Sequence, residues 1–171
     1  MIPSGVVGSL RRQRVNLPVV IPSLSALKFW IQTPLGASEW VTVDQQRIDR
    51  FADATDDRQW IHVDIERARR ESPWKQTIAH GYLTLALVPE LLSQRIVVLG
   101  VKAAINTGVD KLRFSSPVLA GSRVRLHAEI KDARELPPSA LRVTFNVRIE
   151  VEGGAAKPAL AANVSYVYYP V

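Results

Sequence analysis

The sequence predicts an α+β domain in which an antiparallel β-sheet wraps around one central hydrophobic helix. Residues 78–94, IAHGYLTLALVPELLSQ, are apolar on almost every side, which is typical of a helix that the fold surrounds. The second half of the chain then runs through stretches that alternate apolar and polar residues and are separated by turn signals. Strands joined by turns pair antiparallel, so no helical crossovers are expected in this sheet.

The elements before the central helix are expected to be short. Residues 38–43 predict a strand, and Thr42 or Asp44 is placed to cap the helix that follows. The apolar positions of that helix fall at helical spacing up to about Thr55, where it is expected to end. Residues 56–62, DDRQWIH, are then expected to form a loop.

A second short polar helix, IERARRE, is expected after Asp64, which can cap it, and before Pro73, which closes it. Pro89 is expected to kink the central helix or shift its register. The predicted strands of the sheet are IVVLGVKAAINTG, VDKLRFSSPV, SRVRLHAEIKDARE, ALRVTFNVRIEVEG and KPALAANVSYVYYPV.

Length and composition fit one globular domain. The 171 residues are 47% hydrophobic and 22% charged, so the chain can bury a core and is not expected to be disordered. Residues 1–30 are expected to form an N-terminal tail or extension, and residues 31–171 the domain. No apolar run is long enough to span a membrane, and Pro18 and Pro22 interrupt the patch that would resemble a signal peptide.

Composition also limits the chemistry and the partners. The chain has no cysteine, which excludes disulfides, thiolate metal sites and thiol nucleophiles and favours a cytoplasmic location. The formal net charge of +6 would suit nucleic acid, but the basic residues are interleaved with acids and only 7% of residues are aromatic. A small ligand that carries phosphates would also be attracted. We therefore expect no nucleic-acid partner and no membrane partner.

The segment FADATDDRQWIH holds the first candidate for chemistry. Asp57 and His62 lie five positions apart, too far round to share a helical face, so their convergence requires a loop. Together they can hold a water, with the carboxylate accepting its proton while the imidazole positions it or supplies another. In the structural alternative, Asp56 and Asp57 are capping or turn residues and His62 is a partly buried polar residue.

The second candidate is the start of the central helix at His80-Gly81. Free backbone N–H groups at a helix start point outward, and Gly81, lacking a side chain, lets a ligand carbonyl approach one of them. This pattern indicates an oxyanion-type site. In the structural alternative, the pair is only the turn into the helix, with His80 hydrogen-bonded for structural reasons.

Taken together, these segments resemble the MaoC-type (R)-specific enoyl-CoA hydratase family, which has the hot dog fold. The likeness is carried by FADATDDRQWIHVDIERARRESPWKQTIAHGYLTLALVPELL, and it extends over about residues 38–169 through WVTVDQQRIDRFADAT, GVKAAINTGVDKLRFSSPVLAGSRVR and VEGGAAKPA. Within the family, the chain is most similar to nodulation protein N-like dehydratases and mycobacterial 3-hydroxyacyl-thioester dehydratases. The loop motif and the IAHG helix start occur together and in the family's order.

The resemblance implies reversible syn addition of water to a trans-2-enoyl thioester, which gives an (R)-3-hydroxyacyl product. The implied substrate is an acyl-CoA or an acyl carrier protein thioester, and neither a cofactor nor a metal is expected. Asp57 matches the family's catalytic aspartate, His62 its catalytic histidine, and Gly81 the glycine whose amide holds the thioester carbonyl. Hot dog subunits commonly pair through their sheets, so the implied assembly is a homodimer.

The chain departs from the family motif, Gly-Asp-x-Asn-Pro-(aliphatic)-His, at three positions. Asp56 replaces the glycine, Gln59 the asparagine and Trp60 the proline. The Gln-Trp pair is typical of the nodulation-type subgroup that the chain resembles. Pro89 stands where some members place a serine. The residues expected to bind substrate are Gln59, Trp60, His80, Asn106, Lys111 and Arg113, the last two because CoA carries phosphates.

Three other functions stay open at this point. An acyl-CoA thioesterase on the same fold would direct the water at the carbonyl and release free CoA. A non-catalytic acyl-thioester-binding protein would result if Asp56 or Pro89 has spoiled the site. A nucleic-acid-binding protein would rely on the basic N-terminal segment, and its binding would collapse with salt.

Overall fold

The structure, a computed structural model, describes residues 17–154 and 157–171. Its main feature in that part of the chain is a six-stranded sheet with the order β2-β6-β7-β8-β5, in which β3 also pairs with β6. Every pairing in this sheet is antiparallel, as the turn-linked strands predict. The strands are β1 (Val19–Ile21), β2 (Pro34–Ala37), β3 (Val41–Val43), β4 (Ile96–Val98), β5 (Val101–Phe114), β6 (Ser122–Leu136), β7 (Ala140–Val151) and β8 (Leu160–Pro170).

The alternation expected for the long strands is confirmed in β6 and β7. Every second residue faces the core from Val124 to Ile130 in β6 and from Leu141 to Ile149 in β7, and Leu126, Phe145 and Ile149 are fully buried. Strand β5 is one continuous strand and not two, because register shifts near Asn106 and Lys111 absorb the irregular residues between the predicted segments.

The helices are α1 (Gln45–Thr55), α2 (Trp60–Val63), α3 (Ile65–Glu71), α4 (Gly81–Ala86) and α5 (Val88–Ser93), preceded by a 3₁₀ helix (Ser25–Trp30). Helix α1 begins and ends where the sequence predicts. The Asp44 carboxylate accepts the Arg47 N–H at 2.8 Å, and Asp56 ends the helix in the left-handed region with φ of 58°.

The expected loop over residues 56–62 is only partly correct. Residues 56–59 lack regular structure, but Trp60–Val63 forms a single helical turn, α2. Its backbone bonds run from the His62 N–H to the Gln59 carbonyl and from the Asp64 N–H to the Trp60 carbonyl. One turn is too short to show a hydrophobic period, so the sequence carried no sign of it. Asp64 then caps α3, as expected, by accepting the Arg67 N–H.

The central helix consists of two short helices, α4 and α5, that meet at Leu87. Pro89 lies in the first turn of α5, so the expected interruption is confirmed; proline there lacks the N–H that would continue α4. The prediction that the helix is wrapped on every side is wrong for a single chain. Leu83 and Leu91 face the sheet, but Tyr82 is 69% exposed on the opposite side.

Residues 17–30 pack against the rest of the described chain. Strand β1 pairs in parallel with β4, Ile21 and Leu27 are fully buried, and the guanidinium of Arg95 donates to the carbonyl of Leu17 at 3.1 Å. The division at residue 30 stays a prediction, and residues 1–16 lie outside the described part. None of the described helices has the length and apolar character that a membrane crossing requires.

Candidate active site

Asp57 and His62 converge although a loop and a helix boundary separate them. Asp57 follows the left-handed end of α1, and its side chain is 56% exposed. His62 lies in α2 and is 7% exposed. A carboxylate oxygen of Asp57 and one nitrogen each of His62 and His80 lie within 4.8 Å of one another. The helical turn α2, which the sequence did not predict, brings His62 close to Asp57.

Hydrogen bonding fixes the ring of His62. Its Nδ1 lies 2.7 Å from the carbonyl oxygen of Ile78, which only accepts, so Nδ1 carries the hydrogen and donates it. The Nε2 atom is therefore the one that remains for chemistry. Gln45 also bonds to the backbone of His62, since its Nε2 donates to the His62 carbonyl at 2.8 Å.

The environment of His62 favours its neutral form. Burial is the largest cause that lowers the pKa of His62 from its ordinary 6.5, and His80 lowers it further. The hydrogen bond to Ile78 and the Asp57 carboxylate act in the opposite direction without overcoming burial. A neutral imidazole near neutral pH can accept a hydrogen bond from water at Nε2.

His80 lies beneath the two candidate residues. It is 2% exposed, and its ring stacks on that of His62 with centroids 3.8 Å apart and planes at 27°. Its Nε2 lies 2.9 Å from the backbone oxygen of Asp57, and 3.9 Å from the Asp57 carboxylate. Phe51 of α1 also contacts the ring of His80, with ring centroids 5.0 Å apart.

Gly81 begins α4 directly after His80, which caps the helix without a side-chain hydrogen bond. A Cβ atom at Gly81 would lie 3.1 Å from three ring atoms of Phe114, closer than ordinary van der Waals contact. Glycine thus lets strand β5 approach the start of α4. Because Gly81 has no side chain, its own residue does not cover its backbone N–H.

A pocket of about 290 Å³ opens beside these residues. Its wall includes His62, Gly81 and Thr84 from the helices, Phe114 at the end of β5, and Trp74 and Val118 from connecting segments. The wall is mainly apolar with a few polar groups, which is the usual character of a small-molecule site. The arrangement can hold an apolar chain with its reactive end near the His62 imidazole.

The family comparison decides the identity of the domain, since a family model described as a MaoC like domain matches residues 28–151. The chain belongs to the MaoC-like family. This confirms the resemblance seen in the sequence, and the match covers the segments that bring Asp57, His62 and Gly81 together.

Relatives of this MaoC-like chain support the same assignment. The 3-hydroxyacyl-thioester dehydratase Z of Mycobacterium tuberculosis is 49% identical over 135 residues, 78% of this chain and 88% of that protein. Nodulation protein N of Rhizobium meliloti is 44% identical over 149 residues, 82% of this chain and 88% of that protein. The solved (R)-hydratase of A. caviae, involved in PHA biosynthesis, has a TM-score of 0.60 at 25% identity, covering 77% of this chain and 95% of that chain. The protein is a hot dog fold enzyme of the hydratase and dehydratase type.

The predicted substrate-binding residues are spread more widely than the catalytic candidates. Gln59 is exposed, and Trp60 lies under the guanidinium of Arg67, 4.5 Å from its ring centroid. Asn106, Lys111 and Arg113 lie exposed on β5, and Lys111 has φ of 53° at a register shift that interrupts the expected alternation. The described lining of the 290 Å³ pocket includes none of the residues expected to bind substrate, namely Gln59, Trp60, His80, Asn106, Lys111 and Arg113. Their substrate contacts stay predictions.

Several residues of the MaoC-like site were not expected from the sequence. Phe114 and Trp74 form part of the pocket wall, Gln45 holds the His62 carbonyl, and Thr77 donates to Gln45 at 2.5 Å. They come from three separate segments of the sequence and have no motif in common. The stacking of His80 on His62 was equally hidden, because an aromatic contact between residues eighteen positions apart depends on the fold.

Proposed function

We propose that this MaoC-like enzyme reversibly hydrates trans-2-enoyl thioesters to (R)-3-hydroxyacyl thioesters, using a water held between Asp57 and His62. The observation that supports it most is the convergence of the Asp57 carboxylate and the His62 ring within 4.8 Å, with His62 in the wall of the pocket that Gly81 also lines. The name of the mycobacterial relative, a 3-hydroxyacyl-thioester dehydratase, agrees with the same reaction in the opposite direction.

In this proposal, each group has one task. The half-exposed Asp57 carboxylate takes a proton from the water as the water oxygen bonds to C3 of the substrate. Neutral His62 orients the same water by accepting a hydrogen bond from it at Nε2. The proton that Asp57 has taken from the water is then delivered to C2, so the pair ends the cycle in its starting protonation state. General acid–base work of this kind contributes about 10²–10⁴-fold.

In this proposal, Gly81 binds the thioester oxygen of the substrate. Negative charge develops on that oxygen as water adds at C3, and in this proposal the N–H of Gly81, the first residue of α4, stabilises it. Loss of one such donor costs about 2.7–4 kcal/mol in comparable sites. Gly81 and His62 line the same pocket, so one bound thioester can reach both residues.

We also infer a homodimer in the cytoplasm with no nucleic-acid partner. Strand β5 pairs with β8 alone among the described strands, and 11 of its 14 residues are exposed while none is buried. Ile105, Val109 and Phe114 are large apolar side chains on this exposed strand. A second copy paired at β5 would satisfy the free backbone groups and cover these side chains. Sedimentation at several concentrations tests the dimer.

The test of the reaction follows two signals at once in the purified enzyme. Crotonyl-CoA and a longer enoyl-CoA are mixed with the enzyme while the enoyl-thioester absorbance and free thiol are recorded together. We expect the enoyl band to fall without thiol release, and the product to be the (R)-3-hydroxyacyl-CoA. Thiol release would instead identify a thioesterase, and binding without turnover would identify an acyl-thioester-binding protein.

A further inference from the structure

His80 is buried and touches both groups that the proposed reaction uses. Its ring stacks on the ring of His62, and its Nε2 lies 2.9 Å from the backbone oxygen of Asp57. It is 2% exposed, and the described lining of the 290 Å³ pocket does not include it. A residue so placed acts on the substrate only through its neighbours.

The hydrogen bonds fix which nitrogen of His80 carries its hydrogen. The Asp57 carbonyl oxygen only accepts, so Nε2 of His80 donates to it. In the neutral ring the other nitrogen, Nδ1, bears a lone pair, and it is one of two buried atoms for which the described residues offer no hydrogen-bond partner. His62 has the opposite arrangement, with Nδ1 donating to Ile78. The two stacked rings are therefore opposite tautomers.

The chain holds His80 more firmly than it holds Asp57. The neighbouring Ala79 donates its N–H to Val118 at 2.7 Å, and the His80 carbonyl accepts the Thr84 N–H in the first turn of α4. Asp57 instead lies in the irregular stretch between α1 and α2, with its side chain half exposed. The bond from His80 thus ties a loop residue to a fixed ring.

We propose that His80 is a positioning residue, which holds the main chain of Asp57 through Nε2 and supports the ring of His62. This inference rests on the proposed hydration. It assigns His80, which the sequence predicted to bind substrate, a role in positioning the catalytic groups instead. Displacing a reacting group by about 1 Å can cost about 10²-fold in rate. Losing the contacts of His80 should therefore lower kcat, while KM stays nearly unchanged because the described pocket wall is intact.

Two substitutions separate the two contacts. His80→Phe keeps a flat ring against His62 and removes the donor to Asp57, whereas His80→Gln keeps an N–H near the position of Nε2 and removes the ring. His62 has its own anchor, the bond to Ile78 at 2.7 Å, so the bond to Asp57 is the greater contribution of His80. We expect about a 10²-fold loss of kcat in His80→Phe and a smaller loss in His80→Gln.

The matched control is His127→Gln, the same change on β6. His127 bonds to Glu150 at 2.6 Å, and no residue of the proposed site touches it in the described contacts. The kinetic constants of this variant should equal those of the wild type. Crotonyl-CoA hydration by all variants gives kcat and KM separately, and circular dichroism confirms that each is folded.

A second measurement reads the geometry without turnover. The chain has three histidines, so ¹⁵N spectra of the histidine-labelled full chain can be assigned with His80→Phe and His127→Gln. We expect His80 with its hydrogen on Nε2 and His62 with its hydrogen on Nδ1. If His80→Phe does not fold, His80→Gln and the wild-type spectrum together decide the question.

The outcomes separate this inference from the proposed function. Wild-type kcat in a folded His80→Phe would overturn the positioning role while leaving the hydratase intact, and so would a raised KM with unchanged kcat, which points to substrate contact. A His80 spectrum with the hydrogen on Nδ1 would also overturn it. A wild-type enzyme without hydration would contradict the proposed function, and the spectrum would still report the positioning contacts.

Discussion

Replacing Gly81 with alanine should destabilise the protein and slow the proposed reaction. The added Cβ would lie 3.1 Å from three ring atoms of Phe114, a few tenths of an ångström inside ordinary contact. Overpacking of this kind costs about 1–3 kcal/mol, and the lower end applies because Phe114 is 44% exposed and can shift. The helix preference for alanine over glycine offsets at most about 1 kcal/mol, and less at a first helical residue.

The net expectation for Gly81→Ala is a loss of roughly 0.5 kcal/mol, which lowers Tm by about 1–2 °C in a domain of this size. The proposed oxyanion donor would be disturbed as well, so kcat/KM should fall by up to about 10²-fold. Thermal unfolding by circular dichroism and crotonyl-CoA kinetics measure the two effects on the same preparation.

The control for this prediction removes the other side of the contact. In a Phe114→Leu background the ring is absent, so adding Gly81→Ala should cost clearly less stability than it does in the wild type. An unchanged or raised Tm for Gly81→Ala alone would refute the reasoning. An equal cost in both backgrounds would show that the contact with Phe114 is not the cause.

Three further predictions concern His62, Arg95 and Ile105. The pKa of folded His62 lies below 6.5, so the unfolded chain takes up the proton first as pH decreases. The free energy of unfolding should therefore fall between pH 6.5 and the folded pKa. Denaturant titrations at several pH values should show a shallower dependence of this free energy on pH in His62→Gln. Arg95→Met leaves the carbonyls of Leu17 and Leu35 without this donor and should cost about 1–3 kcal/mol in urea unfolding. The cost comes mainly from the buried bond to Leu35, because Leu17 is 72% exposed and water replaces the donor there. Ile105→Lys on exposed β5 should yield a monomer in sedimentation where the wild type is a dimer.

The features that the sequence predicted well are those that depend on nearby residues. Helix α1 has an apolar face at helical spacing and a capping aspartate, Asp44, and both signals lie within the helix or beside it. The alternating residues of β6 and β7 likewise report directly on a half-buried sheet. Asp57 and His62 could be named as a pair, because their residue types and the motif around them suit one reaction.

The features that the sequence missed depend on contacts between distant segments. Strand β5 was divided in two, because Asn106 to Gly108 has the composition of a turn while its pairing with β8 keeps it extended. The support of His62 by His80 and the contact of Phe114 with Gly81 arise only when α4 is packed between α2 and the end of β5. Neither contact has a local signature.

The role of Asp57 as the group that activates water is tested most directly by comparing Asp57→Asn with Asp56→Asn. Both changes remove one carboxylate from adjacent positions, and asparagine tolerates the left-handed backbone at residue 56. Hydration of crotonyl-CoA is followed by the loss of enoyl-thioester absorbance, with substrate binding measured by calorimetry. We expect Asp57→Asn to bind substrate and lose at least about 10²-fold in kcat, while Asp56→Asn keeps the wild-type rate. Wild-type kcat in Asp57→Asn would contradict the account.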